Sequence, residues 1–238
     1  MSEIKLEIKK IFLTSTVLFS ICYVLLFLFD LGIYSSLKQE SSMVINSTLF
    51  PFFLMIYLAY ISANILGIEF STGCSKIIFQ NKKRMTKLVL FKLLAVFLVL
   101  TAFIIIDSIF NWLSLMYLQQ AITFSLMLFQ RFVIYYIYAI SILSFGIFVT
   151  AITSSRVWSF VINFVFFFVL TQILYGLRET PNIQTQRMVT KFIHHSFFSI
   201  PDVVLVNQSW TSFQVIQMII FSGLFTWLTI YLLKRRSY

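Results

Sequence analysis

Residues 132–152 read FVIYYIYAISILSFGIFVTAI, a run without a single Lys, Arg, Asp or Glu. A helix of about 20 residues crosses the roughly 30 Å of a bilayer's hydrocarbon. A soluble surface helix of that length would show a charged face, and this run has none. Working outward, comparable runs lie upstream at about 88–106, 49–68 and 11–31, and downstream at about 158–175 and 213–233. The chain as a whole agrees with them. It has 238 residues, 60% hydrophobic and only 11% charged, with a mean hydropathy of +0.94, whereas soluble domains carry about 25% charged residues. Twenty-nine Phe with 8 acidic residues cannot clothe a water-soluble core, so a soluble enzyme is excluded. Three Pro and 6 Gly are too few for the frequent turns of a transmembrane barrel. The expected fold is all-α: one polytopic transmembrane domain over 1–238 with six spans, in the cell membrane. The run at 11–31 is too long for the apolar core of a signal peptide and lacks a small-x-small cleavage site, so it is expected to be a retained helix.

The net charge of +10 is ordered along the chain. With the N-terminus inside, Lys5, Lys9, Lys10, Lys76, Lys82, Lys83, Arg84, Lys87, Arg156, Lys234, Arg235 and Arg236 fall on the cytoplasmic side, and Lys92 lies just inside the third span near that side. Lys38, Arg131, Arg178, Arg187 and Lys191 fall outside. Thirteen against five places both termini in the cytoplasm. The charge is thus mostly a topology signal, and no nucleic-acid partner is expected. Between the third and fourth spans, residues 107–131 are apolar but interrupted by Asn111, Gln119 and Gln120; they either prolong the third helix or lie along the outer interface. The long outer stretch 176–211 holds an apolar piece, 192–200, ended by Pro201 and followed by 203–206, a pattern for short interfacial or re-entrant helices.

Catalytic and cofactor signatures are missing from the sequence. No phosphate-binding G-x-x-x-x-G-K-[ST] occurs, and no paired intramembrane aspartates, Ser–His pair or H-E-x-x-H is assembled. No cofactor or metal is expected in this chain, nor enzymatic activity of its own. Asp30 and Asp107 fall at outer span ends, where a carboxylate reaches water, with a proton or ion relay as the competing reading. His194 and His195 are adjacent, so on a helix they diverge by about 100 degrees and cannot chelate one ion. Cys22 and Cys74 form no framework. Within the spans, Ser62, Asn64, Thr101, Ser141, Ser144, Asn163 and Gln172 are polar. Such residues face another helix or a water-filled path. Asn64, Thr101, Ser144, Asn163 and Gln172 are therefore candidates for a substrate path, together with Phe167 of the Phe-rich fifth span, where lipid contact is the competing reading. Ala63 and Gly67 form a small-x-x-x-small pair suited to close helix contact.

The inner loop 69–87 carries Ile77, Ile78 and Phe79 between Lys76 and the run Lys82, Lys83, Arg84. Two readings are open: a basic segment against anionic lipid headgroups, or an amphipathic coupling element that inserts into a partner ATPase, apolar anchors supplying area and flanking charges setting register.

The combination of an amphipathic N-terminal stretch (EIKLEIKKIF), six spans with both ends inside, and a loop with Glu69, Thr72, Gly73 and a basic run ending in Arg84 resembles the type-2 (ABC-2) permease subunits of bacterial ATP-binding-cassette exporters. Among them, small Phe- and Ile-rich subunits resemble toxin-peptide and bacteriocin exporters, such as those of the staphylococcal phenol-soluble modulins. Cys74 departs from the small polar residue expected after Gly73. The resemblance implies a cytoplasmic ATPase subunit that binds ATP and Mg, coupling through Glu69, Thr72, Gly73, Lys76, Ile77, Ile78, Phe79 and Arg84, and a second permease subunit, identical or related. It further implies outward transport of an amphipathic peptide. The alternative from another class is a non-transporting immunity or sensory subunit that binds peptides or positions a partner.

Overall fold

The computed structural model describes residues 19–22, 24, 42–72, 82–117, 124–179, 183–207 and 210–235, and every regular element among them is helical. The order is α1 (Ser42–Ser71), α2 (Lys82–Tyr117), α3 (Phe124–Thr153), α4 (Arg156–Phe164), a π-helical turn (Val165–Val169), α5 (Leu170–Arg178), α6 (Ile183–His195), α7 (Ile200–Asn207) and α8 (Ser212–Arg235). Five stretches are long and apolar enough to cross a membrane: Phe53–Ser71, Thr86–Ile109, Leu128–Thr153, Arg156–Arg178 and Ser212–Arg235. The protein is a multi-pass membrane protein. The sixth expected span, 11–31, lies outside the described residues except for 19–22 and 24. Phe19 from that piece stacks on Tyr57 at 4.4 Å and meets the Phe103 edge at 5.2 Å, so it packs on α1 and α2.

Helix α3 is the axis of the bundle, in contact with α1, α2, α4, α7 and α8. Its small residues, Ala139, Ser141, Ser144, Gly146, Thr150 and Ala151, are buried, and in a membrane small side chains are what let helix backbones approach. At its end Ser154 adopts φ 55°, a turn conformation that reverses the chain at once. Ser155 then caps α4 by accepting from the Trp158 N–H at 3.4 Å. Of residues 107–131, those through Tyr117 prolong α2 and those from Phe124 belong to α3.

Helices α6 and α7 form a helical hairpin. Ile193 is buried with Leu174 and Val203, which lays α6 back along α5. The hairpin's tip goes deeper: Phe197 meets the rings of Phe167, Phe221 and Phe225 at 5.9, 5.5 and 5.2 Å. Phe198 meets Phe145, Phe166 and Phe167 at 5.0, 4.8 and 5.5 Å. Because Phe167 sits at the centre of the span Arg156–Arg178, the tip side chains reach the middle of the bundle. Pro201 does not end a helix here, contrary to the sequence expectation. The break falls at 196–199, and Pro201 occupies the first turn of α7, where its missing N–H costs no helical hydrogen bond.

Candidate functional site

Polar chemistry in the bundle is concentrated at three levels. At the end where α1 stops and α2 starts, Lys92 donates to the Glu69 carboxylate and to the Ile65 carbonyl, the latter at 2.6 Å. The Lys92 and Glu69 side chains are only 3% and 7% exposed. A lone ammonium in hydrocarbon costs several kcal/mol, on the order of 3 on insertion scales, so the sequence tolerates Lys92 because Glu69 on the neighbouring helix neutralises it. The second carboxylate oxygen, Oε2, is buried and without a hydrogen-bond partner among the described residues. Close by, Gly67 makes room for Arg156: a Cβ at 67 would overlap the Arg156 stem. Thus the close contact foreseen for Gly67 is with a side chain of α4.

At the opposite end, Arg131 donates to the Asp107 carboxylate, and the Tyr135 hydroxyl donates to the same group. Asp107 is 2% exposed. This corrects the expectation that it reaches water: it is paired within the protein instead. Lys92 and Asp107 are both on α2, about 22 Å apart along its axis at 1.5 Å per residue, so an ion pair holds this helix about three turns in from each of its ends.

Between these levels runs a seam where α1, α3 and α4 meet. Asn163, fully buried, donates from Nδ2 to Ser62 Oγ at 2.9 Å and to the Ile142 carbonyl at 3.1 Å. Ser159 donates to the Gly146 carbonyl at 2.9 Å, and the hydroxyls of Thr150 and Ser159 share a hydrogen bond at 2.6 Å. Gly146 has to be glycine, since a Cβ would overlap Ser62 and Asn163. Asn163 Oδ1 is buried with no partner among the described residues.

The predicted path residues fall at separate interfaces. Asn163 meets Ser62. Thr101 donates to the Phe97 carbonyl at 2.8 Å and pairs with the Tyr136 hydroxyl between α2 and α3. Ser144 is buried and donates to the Ser141 carbonyl at 3.1 Å. Phe167 is buried in the aromatic cluster beneath the hairpin, Asn64 is half-buried, and Gln172 is exposed on α5.

Of the predicted coupling residues, Glu69 turns inward to Lys92, and Thr72 is exposed and donates to the Ile68 carbonyl at 2.8 Å. Arg84 lies in the first turn of α2. Gly73, Lys76, Ile77, Ile78 and Phe79 lie outside the described residues.

Among the described residues no group of three or more His, Cys, Asp or Glu gathers to hold a metal. His194 and His195 are both exposed; the His195 ring meets the Phe213 ring at 5.9 Å, and its carbonyl accepts from Gln217 Nε2 at 2.6 Å. No family model and no curated protein matches this chain.

Neither ion pair nor the Tyr136 partner of Thr101 was foreseen from the sequence. A signal for the first was present. Lys92 is a cation inside a span, and Glu69 is the only acidic residue between Glu40 and Asp107.

Proposed function

We propose that this chain is the transmembrane permease subunit of an ATP-binding-cassette exporter. A separate cytoplasmic ATPase, carrying ATP and Mg, docks on the segment 69–87, in which α1 ends at Ser71 and α2 begins at Lys82, and two permease subunits together move amphipathic peptides outward. The observation that carries the reading is the buried Glu69–Lys92 pair. It ties the last turn of α1 to the first turns of the span in α2, the two helices that flank the loop. A push at that loop therefore enters both helices as one body, which is what a docking element for an external motor requires. Glu69 then serves by positioning the loop, while the anchors Ile77, Ile78 and Phe79 and the charges Lys76 and Arg84 meet the ATPase.

Support for a second subunit comes from Gln172. Its amide is exposed on a membrane span, and an amide left without a partner in hydrocarbon costs ~2 kcal/mol or more. Another permease copy, or a watered path between copies, removes that cost. Ser144 and Asn163 are closed inside the single bundle, so the path is assigned between subunits, with an apolar lining that reads amphipathicity.

The test is affinity purification of the full chain from the cells that make it, with the copurifying proteins searched for an ATP-binding chain. Association of the two, with ATP hydrolysis that rises on adding an amphipathic helical peptide, is the expected result. A chain that binds peptide yet recruits no ATPase belongs to the immunity or sensory class instead.

A further inference from the structure

Helix α6 has the sequence IQTQRMVTKFIHH. One side of it is core: Ile193 is buried against Leu174 and Val203, with Val189 packed beside them. The other sides are uncovered. Met188 and Phe192 are 71% and 53% exposed, and Arg187, Lys191 and His194 are exposed as well. The helix contains no Asp or Glu, and the ion pairs formed among the described residues leave Arg187 and Lys191 unneutralised.

Contacts set the depth of this helix. Ile193 is level with Leu174, about 6 Å inside the Arg178 end of its span at 1.5 Å per residue. His195 meets Phe213 and Gln217 within the first two turns of α8. The C-terminal end of α6 is therefore just within the hydrocarbon edge, and Arg187 and Lys191, one to two turns earlier, are at the level of the headgroups.

We propose that α6 is an interfacial anchor for anionic lipid, in which Arg187 and Lys191 take the headgroup phosphate while Met188 and Phe192 enter the acyl boundary. Large apolar side chains beside cations, on a helix straddling the membrane edge, are what an amphipathic interfacial helix presents to a bilayer. The Lys191 stem can run along apolar surface and lift its ammonium to the phosphates. Lipid rather than an acidic peptide is favoured by continuity: α5, which packs against α6, likewise exposes Ile173 and Leu177, so the patch extends the surface that hydrocarbon already covers.

The test uses the full chain carrying Cys22→Ser, Cys74→Ser and Gln186→Cys, with a fluorophore on the new thiol of α6. It is reconstituted in phosphatidylcholine vesicles in which a fixed minor share is brominated, either as phosphatidylcholine or as phosphatidylglycerol. Brominated phosphatidylglycerol should quench several-fold more strongly. Each basic residue near an anionic surface is worth about fivefold in lipid partition, so Arg187→Gln with Lys191→Gln should remove most of the preference, whereas Arg187→Lys with Lys191→Arg should keep it. Raising the salt must also weaken the preference of the unsubstituted chain, a measurement that stands even if the double Gln chain fails to fold. Equal quenching by both lipids, or a preference indifferent to salt and to the Gln substitutions, overturns the proposal. Equal quenching together with protection of the fluorophore by a soluble acidic peptide overturns it in favour of a peptide.

Discussion

Lys92→Met would leave the Glu69 carboxylate buried beside apolar neighbours with no cation, and breaking one side of a buried pair costs about 3–5 kcal/mol. Replacing both, as Lys92→Met with Glu69→Met, removes the uncompensated charge and should recover most of that loss. Unfolding in mixed micelles, run as a double-mutant cycle, measures the difference, and a double variant as unstable as the single one would mean that the pair is not what holds α1 to α2. At the seam, Gly146→Ala should destabilise by about 1–3 kcal/mol through overpacking against Ser62 and Asn163, and Ser62→Gly in the same chain should return part of it. The sequence exposes such residues unevenly. A cation within a span announces that it needs a partner, but nothing in the spacing says that the partner is 23 residues back on α1. Asp107 illustrates the opposite failure: its position at a span end suggested water, while Arg131 and Tyr135 on α3 enclose it.

Helices were the legible scale, because hydropathy over some 20 residues is a sum that survives local detail. The expected runs at 49–68, 88–106, 132–152, 158–175 and 213–233 coincide with Phe53–Ser71, Thr86–Ile109, Leu128–Thr153, Arg156–Arg178 and Ser212–Arg235. The same sum is blind to the backbone inside a run. The π turn Val165–Val169 leaves no trace in composition, since Phe and Val suit α and π geometry alike. A π turn holds one residue more than the α turn it interrupts. Deleting Phe166, which is partly exposed, should therefore relax the turn to α-helix while Asn163 and Leu174 keep their present faces, and the shortened chain should unfold within about 1 kcal/mol of the parent. Inserting an Ala after Phe166 instead turns α5 by about 100 degrees and should strip Leu174 from Ile193, visible as faster proteolysis of the α6 hairpin. Hairpin depth was also hidden. From the sequence, the stretch holding Phe197 and Phe198 suits interfacial and re-entrant helices alike, and only the rings of Phe145, Phe167 and Phe225 show how deep these side chains reach.

For the molecule as a whole, the ends Ser71, Lys82, Thr153, Arg156 and Arg235 belong to one side of the bundle, and Arg131, Arg178 and α6 to the other. The basic excess predicts that the first side is cytoplasmic. A thiol-reactive reagent that cannot cross the membrane should therefore label Gln186→Cys in intact cells and Thr72→Cys only after permeabilisation, with Cys22 and Cys74 replaced in both; the reverse pattern would invert the topology. The two ion pairs of α2 also bear on how the chain is made. Synthesis runs from the N-terminus, so Glu69 leaves the ribosome before Lys92, and Asp107 before Arg131. Of each couple, α2 supplies one member. Insertion in the order α1, α2, α3 would bring each cation to a helix already carrying its anion, and a fragment that begins after Ser71 would bring Lys92 into lipid unaccompanied.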